Sequence, residues 1–105
     1  MYQRFVCFKF KADTPTAAVQ QHMNMFAALA STIPQIVSYT AGETFPGGES
    51  AEQYNTAHYV TYNSQEDINT YFHHPAHQEF ILANKEHWED VLVVDSKIIP
   101  VLAIR

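Results

Sequence analysis

Tyr71-Phe72-His73-His74-Pro75-Ala76-His77 is the stretch on which the fold turns. Pro75 has no N–H and its ring crowds the preceding turn, so an undisturbed helix cannot run through it. The residue before a proline is pushed out of helical dihedrals, which places His74 in an extended conformation. Both flanks nevertheless read as helix. Ser64-Gln65-Glu66-Asp67 has the form of a capping box, and Gln78 to Glu89 is rich in helix formers. The stretch therefore predicts a helix, from Ser64 to about Glu89, that breaks at His74 and restarts with Pro75 in its first turn. Three imidazoles and a phenol gather at the break, where side chains that a straight helix would spread around its surface are redirected. A chemical site, if the chain has one, is expected here.

Upstream of this helix, Tyr54 to Asn63 alternates as a strand. Tyr54, Thr56, His58, Val60 and Tyr62 share one face, and Asn55, Ala57, Tyr59 and Thr61 the other. Downstream, Val91-Leu92-Val93-Val94-Asp95 is the last strand, and Pro100 interrupts any ladder beyond it. Residues 3–11 form the first strand, with Arg4, Val6, Phe8 and Phe10 on one face and Phe5, Cys7, Lys9 and Lys11 on the other. A helix follows from Asp13-Thr14-Pro15, with Thr14 as N-cap and Pro15 in the first helical position. Its expected buried stripe is Val19, Met23, Phe26, Ala27, Ala30 and Ile33, which leaves His22 on the surface. Ile36 to Glu43 reads as the second strand, with Gly42 a candidate bulge. Phe45 to Gln53 carries two of the three glycines and reads as a surface loop, or a mobile rim.

The order β-α-β-β-α-β is the ferredoxin-like α+β arrangement, an antiparallel sheet with both helices on one face. The other face, carrying Phe5, Cys7, Ala57 and Tyr59, has nothing within the chain to cover it. A homodimer with two-fold symmetry is the expected solution. Residues 1–97 would form the domain, and the apolar extension 98–105 would pack on it or on the partner.

Composition narrows the function classes. A chain of 105 residues is one domain. No apolar run approaches the roughly 20 residues of a membrane span, and the N-terminus lacks the pattern of a signal peptide. Cys7 is the lone cysteine, so no intrachain disulfide forms and a cytoplasmic setting is expected. A formal charge of −5 without a basic stripe argues against nucleic acid. There is no glycine-rich phosphate loop or dinucleotide fingerprint, so no nucleotide cofactor is expected. Metal sites need convergent ligands, whereas adjacent His73 and His74 diverge, so no metal is expected either.

Several motifs resemble the stress-responsive A/B barrel (Dabb) family: Phe8-Lys9-Phe10-Lys11 after an apolar strand, Ile33-Pro34, His74-Pro75-Ala76-His77, and Asp90 to Asp95. The resemblance implies a ferredoxin-like protomer whose sheet packs on a second copy as a dimeric α+β barrel. The family includes a plant hydroxynitrile lyase and a polyketide cyclase. In that cyclase the catalytic histidine is the second of His-Pro-Ala-His, which implies His77 here, and the catalytic tyrosine six residues earlier implies Tyr71. The activity implied is that of a cofactor-independent lyase or cyclase acting on a small, largely apolar carbonyl compound. The alternative is a non-catalytic, stress-responsive dimer that binds a small ligand or has a structural role. This chain departs from the family pattern at Arg4, where many members carry histidine. It departs again at Thr56, with His58 two residues on along the same face.

At the residue level, His77 is the candidate general acid or base, and Tyr71 the donor to a developing enolate oxygen. The competing reading has His74 and His77 hydrogen-bonding the backbone of the helix break. Six residues at about 100° each would separate Tyr71 from His77 on a straight helix; the break lets them converge. Arg4 offers a planar donor to a carboxylate or enolate oxygen. His58 either completes the site or is a satisfied core histidine. Phe8, Val60, Tyr62, Phe80 and Trp88 are the remaining expected lining residues.

Overall fold

A computed structural model describes residues 1–48 and 53–100. Strand β1 (Tyr2–Phe10) is flanked on one side by β3 (Thr56–Tyr62) and on the other by β4 (Trp88–Lys97), with β2 (Ser38–Glu43) outside β3. Every pairing is antiparallel, and the order is β2-β3-β1-β4. Helices α1 (Thr16–Thr32), α2 (Gln65–His73) and α3 (Pro75–Asn84) supply the second layer, and a 3₁₀ turn at Lys85–His87 leads into β4. This is the ferredoxin-like α+β fold with a four-stranded antiparallel sheet.

The strand alternation sorts as expected. Val6 and Phe8 of β1 and Val60 and Tyr62 of β3 are buried against Phe26, Leu29 and Ile33 from α1 and its C-cap, Tyr71 of α2 and Phe80 of α3. Each such apolar side chain contributes about 1.5–3 kcal/mol on burial. The helix break is formed as the proline dictates. Ser64 Oγ accepts from the Asp67 N–H at 3.1 Å, which caps α2. His74 is extended (φ −61°, ψ 136°), and Pro75 opens α3.

Four local expectations need correction. The buried stripe of α1 is His22, Phe26, Leu29 and Ile33, while Ala27 is exposed. The face is thus one residue out of phase with the expected one, because a histidine occupies its apolar series. Pro15, not Thr14, is the N-cap. Strand β2 begins at Ser38, since the Ile36 N–H turns back to the Ile33 carbonyl, and its register with β3 runs through Gly42 without a bulge. Strand β4 starts at Trp88 and runs to Lys97, longer than Val91–Asp95 at both ends. It is an edge strand whose residues after Trp88 are exposed, so its polar side chains remain solvated.

Phe45-Pro46-Gly47-Gly48 makes a turn closed by the Gly48 N–H on the Phe45 carbonyl at 3.1 Å. Gly47 has φ 87°, the left-handed conformation that a type II turn requires at its third position. The rim expected over Phe45–Gln53 otherwise falls largely outside the described residues, as does most of the apolar extension. Among the described residues no helix is long and apolar enough to cross a membrane.

Candidate active site at the helix break

The break turns the start of α3 back over the end of α2. His77, buried, lies with its ring centroid 4.4 Å from that of Tyr71, itself almost fully buried. The Phe72 carbonyl, left without a helical partner where α2 ends, accepts from His77 Nδ1 at 3.0 Å and from Gln78 Nε2 at 2.6 Å. That bond assigns the proton of a neutral His77 to Nδ1. The lone pair of Nε2 has no protein hydrogen bond among the described residues. Burial lowers the His77 pKa; the Phe72 carbonyl opposes this, and the Arg4 charge adds to it. The ring is therefore a neutral base at pH 7. Burial pushes the Tyr71 phenol well up, with Arg4 partly offsetting, so Tyr71 remains a neutral donor.

Both rings line a cavity of about 150 Å³ between the helices and the β1–β4 half of the sheet. Arg4, Val6 and Phe8 form its floor with Val91 and Val93. Phe72, Phe80, Ile81, Phe26 and Trp88 complete the walls. Among the described residues, the polar side chains that line it are Arg4, Tyr71 and His77, while the Trp88 indole N–H is turned to His22. Arg4 is held by Asp95, its Nε donating to Oδ1 at 2.7 Å and its Nη2 to Oδ2 at 2.9 Å.

Of the residues anticipated from sequence, the structure brings Tyr71, His77, Arg4, Phe8, Phe80 and Trp88 around one space. His58, Val60 and Tyr62 do not line it. They share the inner face with Arg4 and Phe8, but β3 lies on the far side of β1 from β4. There His58 is stacked beneath Phe26 at 4.0 Å and bonded through Nδ1 to the Tyr39 hydroxyl at 2.8 Å. Val60 is wholly enclosed in the core. Tyr62 sits behind Tyr71, the ring centroids 5.5 Å apart, with its hydroxyl buried beside that of Tyr71.

His22, expected on the surface, is fully buried. Its Nδ1 accepts from Trp88 Nε1 at 3.1 Å, while its Nε2 has no partner. The Phe8 ring packs edge-on against both His22 and His58 and divides them from the cavity. Burial lowers the pKa of His22 to about 4 and that of His58 to about 3, the latter with a smaller contribution from His22. His74 Nδ1 accepts from the Ala76 N–H at 3.0 Å and so caps α3, and His73 bonds the Asn69 carbonyl. Among the described residues no three histidine, cysteine, aspartate or glutamate side chains converge as metal ligands do.

Fold and site together define a ferredoxin-like α+β domain with a histidine–tyrosine pair on an apolar cavity at a proline-broken helix. Residues 3–98 match the Stress Responsive A/B Barrel Domain (Dabb) family, and the chain belongs to it. It is 27% identical to olivetolic acid cyclase of Cannabis sativa over 93 residues, 89% of this chain and 92% of that one. The hydroxynitrile lyase of Passiflora edulis superposes with a TM-score of 0.83 at 18% identity, covering 97% of this chain and 96% of that one. A dimeric ferredoxin-like protein from Thermobifida fusca superposes with a TM-score of 0.81 at 16% identity, over 92% and 90% of the two chains.

Proposed function

We propose that this protein is a cofactor-independent lyase or cyclase that removes a proton next to the carbonyl of a small, largely apolar compound. The observation that carries the reading is the neutral His77 beside the Tyr71 phenol on one apolar cavity. His77 Nε2 takes the proton, the electron pair moves onto the carbonyl oxygen, and the Tyr71 hydroxyl donates to that oxygen as charge develops. The resulting carbanion attacks a second carbonyl in a cyclase. In a lyase the same groups serve bond cleavage in reverse. Two relatives named as a cyclase and a lyase support the class.

Exchange of the α-protons of 2-hexanone in D₂O, followed by NMR, tests this without knowledge of the natural substrate. The protein should accelerate exchange, and Tyr71→Phe should slow it roughly 100-fold. A rate no faster than buffer would remove the catalytic assignment. It would favour the second reading, a ligand-binding or structural dimer, whose support is that His74 and His77 both hold the backbone of the break.

The reading includes a homodimer. The sheet face away from the helices carries Phe5, 38% exposed, in edge contact with Tyr59 of β3. Beside it are Leu92 and Val94 of β4, the latter 49% exposed. A contiguous apolar patch of this kind marks an interaction surface, and a relative of the same fold is described as dimeric. A solution mass of twice 12.0 kDa is expected at micromolar concentration; the mass of one chain would overturn the dimer.

A further inference from the structure

The cavity holding Tyr71 and His77 adjoins a second space. An open groove of about 390 Å³ lies between α2 and the neighbouring ends of β1 and β4, and Arg4 and Phe72 line both. The groove is more polar than the cavity, with Asn69, Asp95 and Lys97 beside Ile68 and Tyr2 among its walls. Arg4 stands at the junction, its guanidinium 5.9 Å from the centroid of the Tyr71 ring. A guanidinium has five N–H donors. The Asp95 pair uses the Nε side, and the remaining N–H groups have no protein acceptor among the described residues. Arg4 is the inward partner, its side chain 14% exposed against 45% for Asp95.

We infer that cavity and groove are two halves of one ligand site, with Arg4 its specificity-determining residue. The ligand class is a small carboxylic acid with an apolar body. The body lies beside His77 and Tyr71, and the carboxylate takes the free edge of Arg4. The inference rests on reading the cavity as the substrate pocket and adds the head group. About 150 Å³ with apolar walls suits a benzene-sized body. A charge inside it would be stripped of water, so the charged group belongs at the mouth. The Arg4 fork matches a carboxylate in plane and spacing. Lys97, opposite Tyr2 in the register that sets Asp95 opposite Arg4, is a second cation in the groove. Two cations face one carboxylate there, in a chain whose formal charge is −5.

Trp88 is the sole tryptophan and lines the cavity, so its fluorescence reports occupancy. Titration at low salt compares phenylacetate with its uncharged analogue phenylacetamide, and with acetate. Phenylacetate should bind roughly 10-fold or more tighter than the amide, as a hydrogen-bonded charge commands. Acetate should give no saturable change. Arg4→Gln should bring acid and amide within about twofold. Asp95→Asn, which removes the carboxylate competing for Arg4, should widen the preference; a merely structural ion pair predicts no gain. Equal affinities in the unaltered protein, a preference that survives Arg4→Gln, or one that fails to widen in Asp95→Asn would overturn the head-group assignment and leave the cavity reading standing. No response to phenylacetate or phenylacetamide would overturn both.

Discussion

Replacing His77 by glutamine is expected to slow α-proton exchange by about 10²–10⁴-fold with secondary structure and association state unchanged. Glutamine keeps an N–H donor for the Phe72 carbonyl, which now takes the His77 Nδ1 bond, but has no basic lone pair. His77→Ala should lose the same activity and, in addition, about 1 kcal/mol of stability with the lost hydrogen bond. An alanine variant that dissociates, beside a glutamine variant that keeps full activity, would assign His77 to the helix break alone. The pH profile gives an independent check. Because burial lowers the His77 pKa from 6.5, the fraction of neutral base is already high at pH 6.5. The acid limb of activity should therefore lie below pH 6.5. The phenol of Tyr71 is raised above 10, so no basic limb is expected through pH 9. An acid limb at pH 7 or higher would exclude His77 as the base.

The second large effect is on stability in acid. In the unfolded chain a histidine takes its proton near pH 6.5, whereas folded His22 does so at about 4 and His58 at about 3. Between those values the unfolded state binds more protons. Stability is therefore complete above pH 6.5 and falls as pH drops, by about 2 kcal/mol per histidine at pH 5. The geometry explains the resistance to charging. His22 Nδ1 already accepts from Trp88, and His58 is stacked under Phe26 with its ring nitrogens on the Tyr39 and Thr56 hydroxyls and the His22 ring 5.6 Å away. Among the described residues no carboxylate hydrogen-bonds either ring. Urea midpoints measured from pH 7 to 5 should show the loss. His22→Gln, which can still accept from Trp88, should remove about half of the slope. A midpoint constant over that interval would contradict two buried neutral rings.

Much of this architecture was legible in the sequence, because proline chemistry and strand alternation are local. Pro75 dictates the break, and the break brings Tyr71 and His77 together. Alternation gave the face on which Arg4, Phe8, His58 and Tyr62 lie, but a face is a two-dimensional surface. The order β2-β3-β1-β4 decides which residues flank the cavity, and it set His58 under α1 instead. Asp95 was missed for a related reason, since its role depends on the register that sets it opposite Arg4. His22 shows the limit of apolar counting. The set Phe26, Leu29 and Ile33 extends back by four residues to position 22, and a polar residue there conceals the helix phase.

Arg4 and Asp95 are 91 positions apart in the chain and bonded in space. Strand β1 precedes both of its partners in the chain, occupies the interior of the sheet and must wait, first for β3 and then for β4. Topologies of such long sequence separation fold slowly. Until Trp88–Lys97 emerges, β1 offers an unpaired edge carrying Val6 and Phe8, the kind of template on which nascent chains adhere to one another. The same strand brings Val91, Val93 and Asp95, so the cavity floor and the cover over the β1 edge are acquired in a single late step. A chain that stops short of β4 thus has neither a covered β1 edge nor a cavity floor.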